Sequence, residues 1–224
     1  MKVAVLFSGG KDSSYAIQWC IDQSYVIMAL VSIFPERSDS YMYHTPNIEL
    51  TCIQAEATGF PHITSRSSGI KEEEVEDLEA AVKPLDIDGL VSGAVASEYQ
   101  RSRIVLISEK LGLRSITPLW HKDPLIYLND MINRDFNIIF TGVYALGFNK
   151  NWLGRRLDEY ALKELLELNK NYGVNLSGEG GEYETLVLDA PFFKKAIKII
   201  KSEKFWENDS GYLAIKQAKL IEKG

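Results

Sequence analysis

The residues best suited to chemistry form one short run, residues 8–14, with the sequence Ser-Gly-Gly-Lys-Asp-Ser-Ser. Two adjacent glycines allow backbone conformations that other residues avoid, so successive N–H groups can surround an anion. A helix predicted to start directly after the glycines adds its positive end to the same place. Lys11 supplies a mobile cation, and Asp12 supplies a carboxylate for a magnesium ion or its waters. The run therefore predicts a binding site for a nucleoside triphosphate.

The spacing within this run differs from two common phosphate-binding loops. A Walker A loop requires glycine, four residues and then Gly-Lys-Ser/Thr, but here Asp12 follows Gly10 and Lys11. The dinucleotide pattern Gly-x-Gly-x-x-Gly is also absent from this position. The run instead resembles the PP-loop of the N-type ATP pyrophosphatases, which implies that ATP is cut between its α and β phosphates. The predicted ATP-binding residues of the loop are Ser8, Gly9, Gly10, Lys11, Asp12, Ser13 and Ser14, with Asp12 as the Mg²⁺ ligand.

A second unusual run, residues 178–191, begins Gly-Glu-Gly-Gly-Glu-Tyr-Glu-Thr. It places three carboxylates within six residues, which repel one another unless cations or hydrogen-bond donors meet them. A solvated acidic hairpin is the alternative, but the apolar strand predicted directly afterwards would hold the turn against a core. We predict a pocket for a cationic substrate, to which Tyr183 adds a cation–π face. The predicted substrate-binding residues of this run are Glu179, Gly180, Gly181, Glu182, Tyr183, Glu184 and Thr185.

Further candidates for ATP and substrate binding are Gly93, Arg101, Arg103 and His44. Gly93 ends a predicted strand, where the backbone can approach the nucleotide closely. Arg101 and Arg103 lie near a predicted helix start and could meet phosphates or a carboxylate, although exposed solubilising arginines are an equal alternative. His44 lies just before another predicted helix and could donate a hydrogen bond to phosphate or ribose. An ordinary exposed loop histidine is as good an explanation of that position.

Composition limits the classes of protein that remain. The chain has 224 residues and a formal net charge of −6, which disfavours a general nucleic-acid binder held by phosphate contacts. No run approaches the roughly 20 apolar residues of a membrane span, and no signal-peptide pattern is present. Cys20 and Cys52 lack metal-binding spacing and are predicted to be buried thiols. We therefore expect a cytoplasmic protein.

The elements that must position these residues alternate between apolar strands and amphipathic helices. Strands are predicted at residues 2–7, 25–34, 61–65, 89–92, 115–118 and 137–143. Helices are predicted at residues 13–24, 45–59, 71–82, 98–111 and 124–133. This alternation predicts a Rossmann-like parallel sheet of the HUP or PP-loop type, with ligands beyond the carboxyl ends of the strands.

The pattern changes after about residue 145. A helix is predicted within residues 151–172, followed by strands at residues 185–189, 196–201 and 211–220. We therefore predict an α/β fold with a PP-loop ATP-binding domain at residues 1–145. A smaller α+β substrate-binding region is predicted at residues 146–224.

Four segments together resemble the diphthine–ammonia ligase family of PP-loop enzymes, in its compact archaeal-type form. They are residues 8–14, the Tyr-Met-Tyr-His of residues 41–44, residues 92–120 and residues 178–191. Eukaryotic members are expected to be longer. The resemblance implies that ATP and Mg²⁺ convert a carboxylate of diphthine on elongation factor 2 into an acyl-adenylate, with release of pyrophosphate. Ammonia then displaces AMP, which gives the amide of diphthamide.

The resemblance also implies roles for individual residues. Lys11 and the loop N–H groups would hold the departing pyrophosphate, while Asp12 would hold Mg²⁺. Because diphthine carries a trimethylammonium group and ammonia is largely ammonium at neutral pH, the glutamates of residues 178–185 suit both cations, and one could remove a proton from ammonium. The predicted catalytic residues are Lys11, Asp12, Glu182 and Glu184. Tyr99, Arg101 and Arg103 complete the predicted substrate-binding set.

Other functions remain open at this point. A tRNA thiolase is disfavoured because both cysteines fall inside predicted helices and the chain is acidic. A PP-loop synthetase that amidates a small carboxylate metabolite is a stronger alternative, with free ammonia as its nitrogen source. A nucleotide-binding sensor without chemistry is another, and a homo-oligomer is also open. Formation of AMP from ATP would separate an enzyme from a sensor.

Overall fold

The structure is a computed structural model that describes residues 1–35, 47–67 and 73–224. The chain divides into two compact units, Met1–Trp120 and His121–Gly224. His44 and the loop predicted at residues 35–44 lie largely or wholly outside the described residues, as does the helix start predicted at Thr45 and Pro46. The ATP contact predicted for His44 therefore stays a prediction.

The first unit alternates strands and helices as the sequence predicts. Its strands are β1 (Lys2–Leu6), β2 (Val26–Pro35), β3 (His62–Ser67), β4 (Gly89–Val91) and β5 (Arg114–Ile116). Its helices are α1 (Lys11–Asp22), α2 (Thr51–Thr58), α3 (Glu73–Val82) and α4 (Glu98–Lys110), with a 3₁₀ turn at Ile48–Leu50. All neighbouring strands are parallel, in the order β3-β2-β1-β4-β5. This arrangement confirms the predicted Rossmann-like sheet.

Apolar packing fixes α3 and α4 on this sheet. Leu78 of α3 and Ile107 of α4 are almost fully buried against strand residues such as Leu90 of β4. Each buried side chain of this size contributes roughly 1.5–3 kcal/mol to folding. Ser97 begins α4 by accepting a hydrogen bond from the backbone N–H of Gln100 at 3.3 Å. The helices are thus held by their apolar faces, while the turns at the strand ends are left for other tasks.

The strand order places a change of direction beside β1. Chain connections run from β1 outward through β2 to β3, and then from β4 outward to β5, so β1 and β4 are neighbours with diverging connections. Ligands of open α/β sheets bind in the crevice outside the carboxyl ends of two such strands. The loop after β1, which contains residues 8–10, and the turn after β4, which begins near Gly93, both lie at this crevice.

The second unit is built on an antiparallel sheet. Its helices are α5 (Pro124–Asn133) and α6 (Glu159–Tyr172), and its strands are β6 (Asn137–Val143), β7 (Tyr183–Asp189), β8 (Lys195–Glu207) and β9 (Ser210–Glu222). The strand order is β7-β6-β9-β8. The longest pairing joins β8 and β9 across a tight turn, in which Asn208 adopts a positive φ of 52°. This unit is the α+β region that the sequence predicts.

The division between the two units lies earlier than the predicted position near residue 145. The strand at residues 137–143 was predicted within the parallel sheet, but β6 pairs antiparallel with β7 and β9. An apolar run of this length suits either kind of buried strand, so its pattern does not identify its partners. The boundary accordingly lies between Trp120 and His121.

Two further findings concern the cysteines and the length of the helices. Cys20 is buried as predicted, and burial raises the pKa of its thiol to about 12. Cys52 is exposed, so the prediction that both thiols are buried is wrong for this residue. Among the described residues, no helix combines the length and the apolar character needed to cross a membrane.

Candidate active site

The loop between β1 and α1 has the backbone of an anion cradle. Gly9 adopts a φ of +79°, a left-handed conformation that glycine takes without strain. Gly10 is the N-cap of α1, and no side chain caps this end of the helix. The first N–H groups of a helix have no acceptor within the helix itself. These N–H groups and the helix dipole therefore favour a phosphate at this position.

The hydroxyl of Ser13 holds the loop together from within. Its Oγ accepts a hydrogen bond from the backbone N–H of Ser8 at 3.3 Å and lies 3.2 Å from the hydroxyl of Ser8. It also lies 3.2 Å from the carbonyl oxygen of Gly10, to which it can donate. Ser14 is fully buried, and its Oγ has no hydrogen-bond partner among the described residues. Ser13 is thus used for the shape of the loop, whereas Ser14 retains a hydroxyl that can bind a further group.

Lys11 and Asp12 form an ion pair inside the loop. Lys11 Nζ donates to Asp12 Oδ2 at 2.8 Å, and the lysine side chain is only 5% exposed. The other carboxylate oxygen, Asp12 Oδ1, is buried and has no hydrogen-bond partner among the described residues. Mg²⁺ in nucleotide sites takes one or two carboxylates together with phosphate oxygens and water. Asp12 therefore fits the predicted role of a magnesium ligand beside a phosphate group.

No preformed cluster of metal ligands accompanies Asp12. Within residues 1–35, 47–67 and 73–224, no group of three or more His, Cys, Asp or Glu side chains could hold a metal ion. A site with one carboxylate suits a Mg²⁺ ion that arrives with the nucleotide, because phosphate oxygens and water supply the other ligands.

Gly93 lies directly against the loop, and its predicted approach to the nucleotide stays a prediction. A Cβ at Gly93 would lie 2.7 Å from the carbonyl carbon of Asp12 and 2.7 Å from the backbone nitrogen of Ser13. Real Cβ atoms essentially never come within 3.0 Å of such atoms. The turn after β4 therefore supports the first turn of α1 from behind, and the absence of a side chain at Gly93 is what permits this contact.

Gln54 is a loop-positioning residue that the sequence analysis missed. It lies on α2, is fully buried, and donates from Nε2 to the carbonyl oxygen of Gly9 at 2.8 Å. A Cβ at Gly9 would overlap with the Gln54 side chain. The available signal was an amide on the buried face of a helix, in register with Thr51, Ala55 and Thr58. A polar side chain at such a position needs a buried partner, and here the partner is the loop.

A second buried hydrogen-bond chain supports the end of β1. Ser32 Oγ donates to the carbonyl oxygen of Phe7 at 2.6 Å, and His62 Nε2 lies 2.8 Å from the same Oγ. Because the Ser32 proton is already committed to Phe7, the hydroxyl oxygen accepts from His62. Burial lowers the pKa of His62 below its ordinary value. His62 thus acts as a neutral structural donor.

The arginines predicted to bind substrate contact aromatic rings in the first unit. The guanidinium carbon of Arg103 lies 3.9 Å from the centroid of Tyr99, and that of Arg101 lies 4.8 Å from the centroid of Trp120. Arg101 also makes a long ion pair of 3.8 Å with Glu98. The structure therefore brings Tyr99 and Arg103 together, and Arg101 points to a different neighbour. Their contacts with substrate stay predictions.

The acidic run at residues 178–185 forms the turn that enters β7. Gly178 and Gly181 have φ values of +70° and +82°. Glu182 Oε1 accepts a long hydrogen bond from the backbone N–H of Asn175 at 3.3 Å, whereas Glu182 Oε2 is buried without a hydrogen-bond partner among the described residues. A Cβ at Gly180 would lie 2.7 Å from Glu182 Oε1. The glycines thus make room for the carboxylate of Glu182, and one of its oxygens can still accept a proton or a hydrogen bond.

Tyr183 packs into the core of the second unit, and its predicted role as a cation–π face for substrate stays a prediction. Its side chain is 3% exposed, and its hydroxyl donates to the carbonyl oxygen of Leu176 at 2.6 Å. Its ring packs against Phe140 and Phe148, with centroid distances of 5.2 and 6.1 Å. Side chains alternate along a strand, so Tyr183 points into the core and Glu184 points to the other face.

The fold and the loop first define a class. A five-stranded parallel sheet, with a glycine-rich Ser-Gly-Gly-Lys-Asp-Ser loop after its first strand, is an α/β protein of the PP-loop type. Residues 1–115 match the family model described as the diphthamide synthase N-terminal domain, and residues 123–221 match the one described as the diphthamide synthase C-terminal domain. The chain belongs to the diphthamide synthase family.

Individual relatives agree with this assignment. The chain is 35% identical to a diphthine–ammonia ligase of Danio rerio, over 96% of this chain and 92% of that protein. It is 36% identical to a diphthine–ammonia ligase of Schizosaccharomyces pombe, over 96% of this chain but 39% of that protein. The yeast protein is therefore much longer than this chain, as expected of a eukaryotic member, whereas the match covers nearly the whole length of the fish protein. 

A solved structure shares a lower level of similarity. It is described as a predicted subunit of tRNA methyltransferase from Methanocaldococcus jannaschii, with 21% identity and a TM-score of 0.47 over 85% of this chain and 98% of that one. Similarity at this level carries no information on function.

Proposed function

We propose that this chain catalyses the ATP-dependent amidation of diphthine on elongation factor 2 by ammonia. The products are diphthamide, AMP and pyrophosphate. The observation that carries the proposal is the PP-loop at the carboxyl end of β1, in a chain whose two units match the two diphthamide synthase domains. The alternatives of a small-metabolite synthetase and a sensor lack comparable support, because the relatives are named diphthine–ammonia ligases.

The reaction proceeds in two steps. In the first, a carboxylate oxygen of diphthine attacks the α-phosphorus of ATP, the bond to the bridging oxygen breaks, and pyrophosphate leaves. In the second, the nitrogen lone pair of ammonia attacks the acyl carbon, AMP departs with the bonding electrons, and the nitrogen loses a proton. The first step is needed because a carboxylate has no good leaving group, whereas AMP is one. The enzyme then contributes positioning and charge stabilisation.

Residues of the loop would hold the phosphates during the first step. The N–H groups at the start of α1 and the ammonium of Lys11 suit the charge that develops on pyrophosphate. Lys11 is nearly buried, so its charge acts in a medium of lower dielectric constant than water. Asp12 Oδ1 and the Ser14 hydroxyl are buried polar atoms of the loop that have no hydrogen-bond partner among the described residues. A bound Mg²⁺ would neutralise phosphate charge.

Glu182 is the group best suited to remove the proton in the second step. Its Oε2 is buried without a hydrogen-bond partner among the described residues, while Oε1 is held by the backbone of Asn175. A positioned carboxylate with one vacant acceptor oxygen can take a proton from ammonium or from the amine that forms. Glu184 is the second candidate for this role, and Glu179 would contribute negative charge.

The reaction is tested by its products. The protein is incubated with ATP, MgCl₂ and ammonium chloride, with and without elongation factor 2 that carries diphthine. We expect AMP, pyrophosphate and the amide in equal amounts, and only when the modified protein is present. Formation of ADP, or of no amide with the modified protein, would overturn the proposal.

Two variants test the assigned roles. Glu182→Gln is expected to slow single-turnover amidation by roughly 10²–10⁴-fold, with ATP affinity unchanged. Glu203→Gln is the matched control, since Glu203 is an exposed glutamate on β8. Lys11→Met is expected to weaken ATP binding, and Lys83→Met at an exposed position is its control. Normal amidation by Glu182→Gln would exclude it as the base.

A further inference from the structure

A row of side chains crosses the antiparallel sheet on the face opposite Tyr183. Glu184 of β7 and Tyr212 of β9 both pair with Gly142 of β6, and Tyr212 also pairs with Phe205 of β8. Residues paired across neighbouring strands project from the same face of a sheet. One face of the second unit therefore carries a carboxylate at one end and aromatic rings at the other.

Gly142 leaves a gap in the middle of this row, and Tyr144 fills it. A Cβ at Gly142 would lie 2.5 Å from Oη and 2.8 Å from Cζ of Tyr144, so the phenol ring lies directly over the glycine. The pKa of Tyr144 is raised, mainly by burial and further by electrostatic interaction with Glu184 and Tyr212. The hydroxyl of Tyr144 is thus close to both flanking side chains of the row.

The rings of the row remain accessible to a ligand. Tyr144 and Tyr212 are each 41% exposed, and Phe205 is 37% exposed. Phe205 stacks on Tyr212, with centroids 4.9 Å apart and an angle of 15° between the ring planes. Lys216 Nζ lies 5.7 Å from the centroid of Phe205, so a cation already occupies the region of that ring. Phe205 therefore supports the ring of Tyr212, and the exposed parts of Tyr144 and Tyr212 can meet a ligand beside Glu184.

Aromatic faces beside a carboxylate favour one kind of cation. The face of an aromatic ring is negative and attracts a cation, and aromatic cages are a common means of binding quaternary ammonium groups. A quaternary ammonium has no N–H donor, so it needs apolar contact and negative potential rather than oxygen acceptors. A primary ammonium would lose hydrogen bonds to water at the same place. Tyr144, Tyr212 and Glu184 therefore suit a quaternary ammonium better than a primary ammonium.

We propose that Tyr144, Tyr212 and Glu184 bind a quaternary ammonium group, namely the trimethylammonium group of the diphthine substrate. This proposal rests on the proposed function for the identity of the substrate, but the chemistry of the site stands without it. In this arrangement Glu184 recognises the fixed charge of the substrate, and Glu182, which lies in the preceding turn, is left to handle the nitrogen that is transferred.

Binding is tested first with small probes and the full chain. Choline and its uncharged isostere 3,3-dimethylbutan-1-ol are titrated separately, and NMR chemical shifts are recorded. We expect choline to bind roughly 3- to 30-fold more tightly than the isostere, with the largest shifts at Tyr144 and Tyr212. Equal binding of the two probes would overturn the proposal and would indicate an ordinary apolar docking face.

Variants locate the site. Tyr212→Leu and Tyr144→Leu are expected to remove the preference for choline, whereas Tyr144→Phe retains a ring and is expected to retain most of it. Tyr160→Leu is the matched control, because Tyr160 is 77% exposed on α6 of the same unit and lies outside the row. Two-dimensional NMR spectra establish which variants are folded. Preference for choline unchanged in a folded Tyr144→Leu would overturn the proposal.

A kinetic measurement separates this proposal from the proposed function. In Tyr144→Leu, we expect the KM for elongation factor 2 that carries diphthine to rise roughly 3- to 30-fold, with the KM for ATP unchanged. An unchanged KM for the modified protein would overturn the substrate assignment of the site. Failure of the unsubstituted enzyme to form AMP would instead overturn the proposed function, and the choline titration would still decide whether a quaternary ammonium site exists.

Discussion

Replacement of Gly93 by alanine is expected to disable the PP-loop without touching a ligand. The added Cβ would lie 2.7 Å from backbone atoms of Asp12 and Ser13, where ordinary contact begins at 3.4 Å, so the loop must move by about 0.7 Å. Backbone on both sides limits relief by side-chain rotation. Displacement of a reacting group by about 1 Å can cost roughly 10²-fold in rate. We therefore expect a loss of about 10²-fold in kcat/KM for ATP, equivalent to about 2.7 kcal/mol.

The measurement combines AMP formation, ATP binding by calorimetry and thermal unfolding. Overpacking in Gly93→Ala costs roughly 1–3 kcal/mol of stability. The control variant must therefore lose a similar amount of stability while the PP-loop keeps its shape. Gly112→Ala serves, because Gly112 has a φ of +68° and no heavy atom within 4 Å of the added Cβ. A left-handed alanine costs roughly 1–2 kcal/mol, and we expect normal ATP affinity. If Gly93→Ala is folded and binds ATP as tightly as the unsubstituted protein, the supporting role of Gly93 is refuted.

Three further predictions concern groups behind the sites. Gln54→Leu removes the donor to the Gly9 carbonyl and should lower the free energy of unfolding by roughly 1–3 kcal/mol, measured by urea titration. It should also weaken ATP binding, measured by calorimetry. Unchanged ATP affinity would contradict the role of Gln54 in positioning the loop. Burial lowers the pKa of His62 in the native protein, so below the ordinary pKa of histidine the unfolded chain binds more protons than the native one. The free energy of unfolding should therefore fall as the pH drops from about 7 to 5. Thermal melts of His62→Gln should show a smaller fall over the same range. Tyr183→Phe should cost roughly 1 kcal/mol of stability with kcat unchanged; a large loss of kcat would restore Tyr183 to the site.

The sequence predicted the parallel sheet well because its signals are local. Apolar runs ended by glycines marked β1 and β4, and Gly59 ended α2 with the left-handed conformation expected of a C-cap glycine. The loop between β1 and α1 could be recognised because glycines, lysine and aspartate adjoin one another. Its supports could not be recognised, because Gln54 and Gly93 are distant in sequence and meet the loop only in the folded unit.

The second unit was harder to predict for two physical reasons. The strand β6 is apolar on both faces, so its sequence does not say whether its neighbours are parallel or antiparallel. The middle of β8 is charged and exposed, so the predicted strand at residues 196–201 stopped short of the true end at Glu207. Tyr183 was assigned to a site because of its acidic neighbours, but alternation along β7 turns its side chain inward.

Because Gln54 and Gly93 contact the PP-loop, the nucleotide affinity also reports whether the first unit is fully folded. The loop contacts both α2 and the turn after β4, so we expect a nascent chain that ends before β4 to bind no nucleotide. Conversely, a ligand that binds only the folded form stabilises it by about 2.7 kcal/mol at a concentration 100 times its Kd. Cellular ATP would thereby favour completed N-terminal units over partly folded ones, and a loss of ATP protection against proteolysis would reveal damage anywhere in that unit.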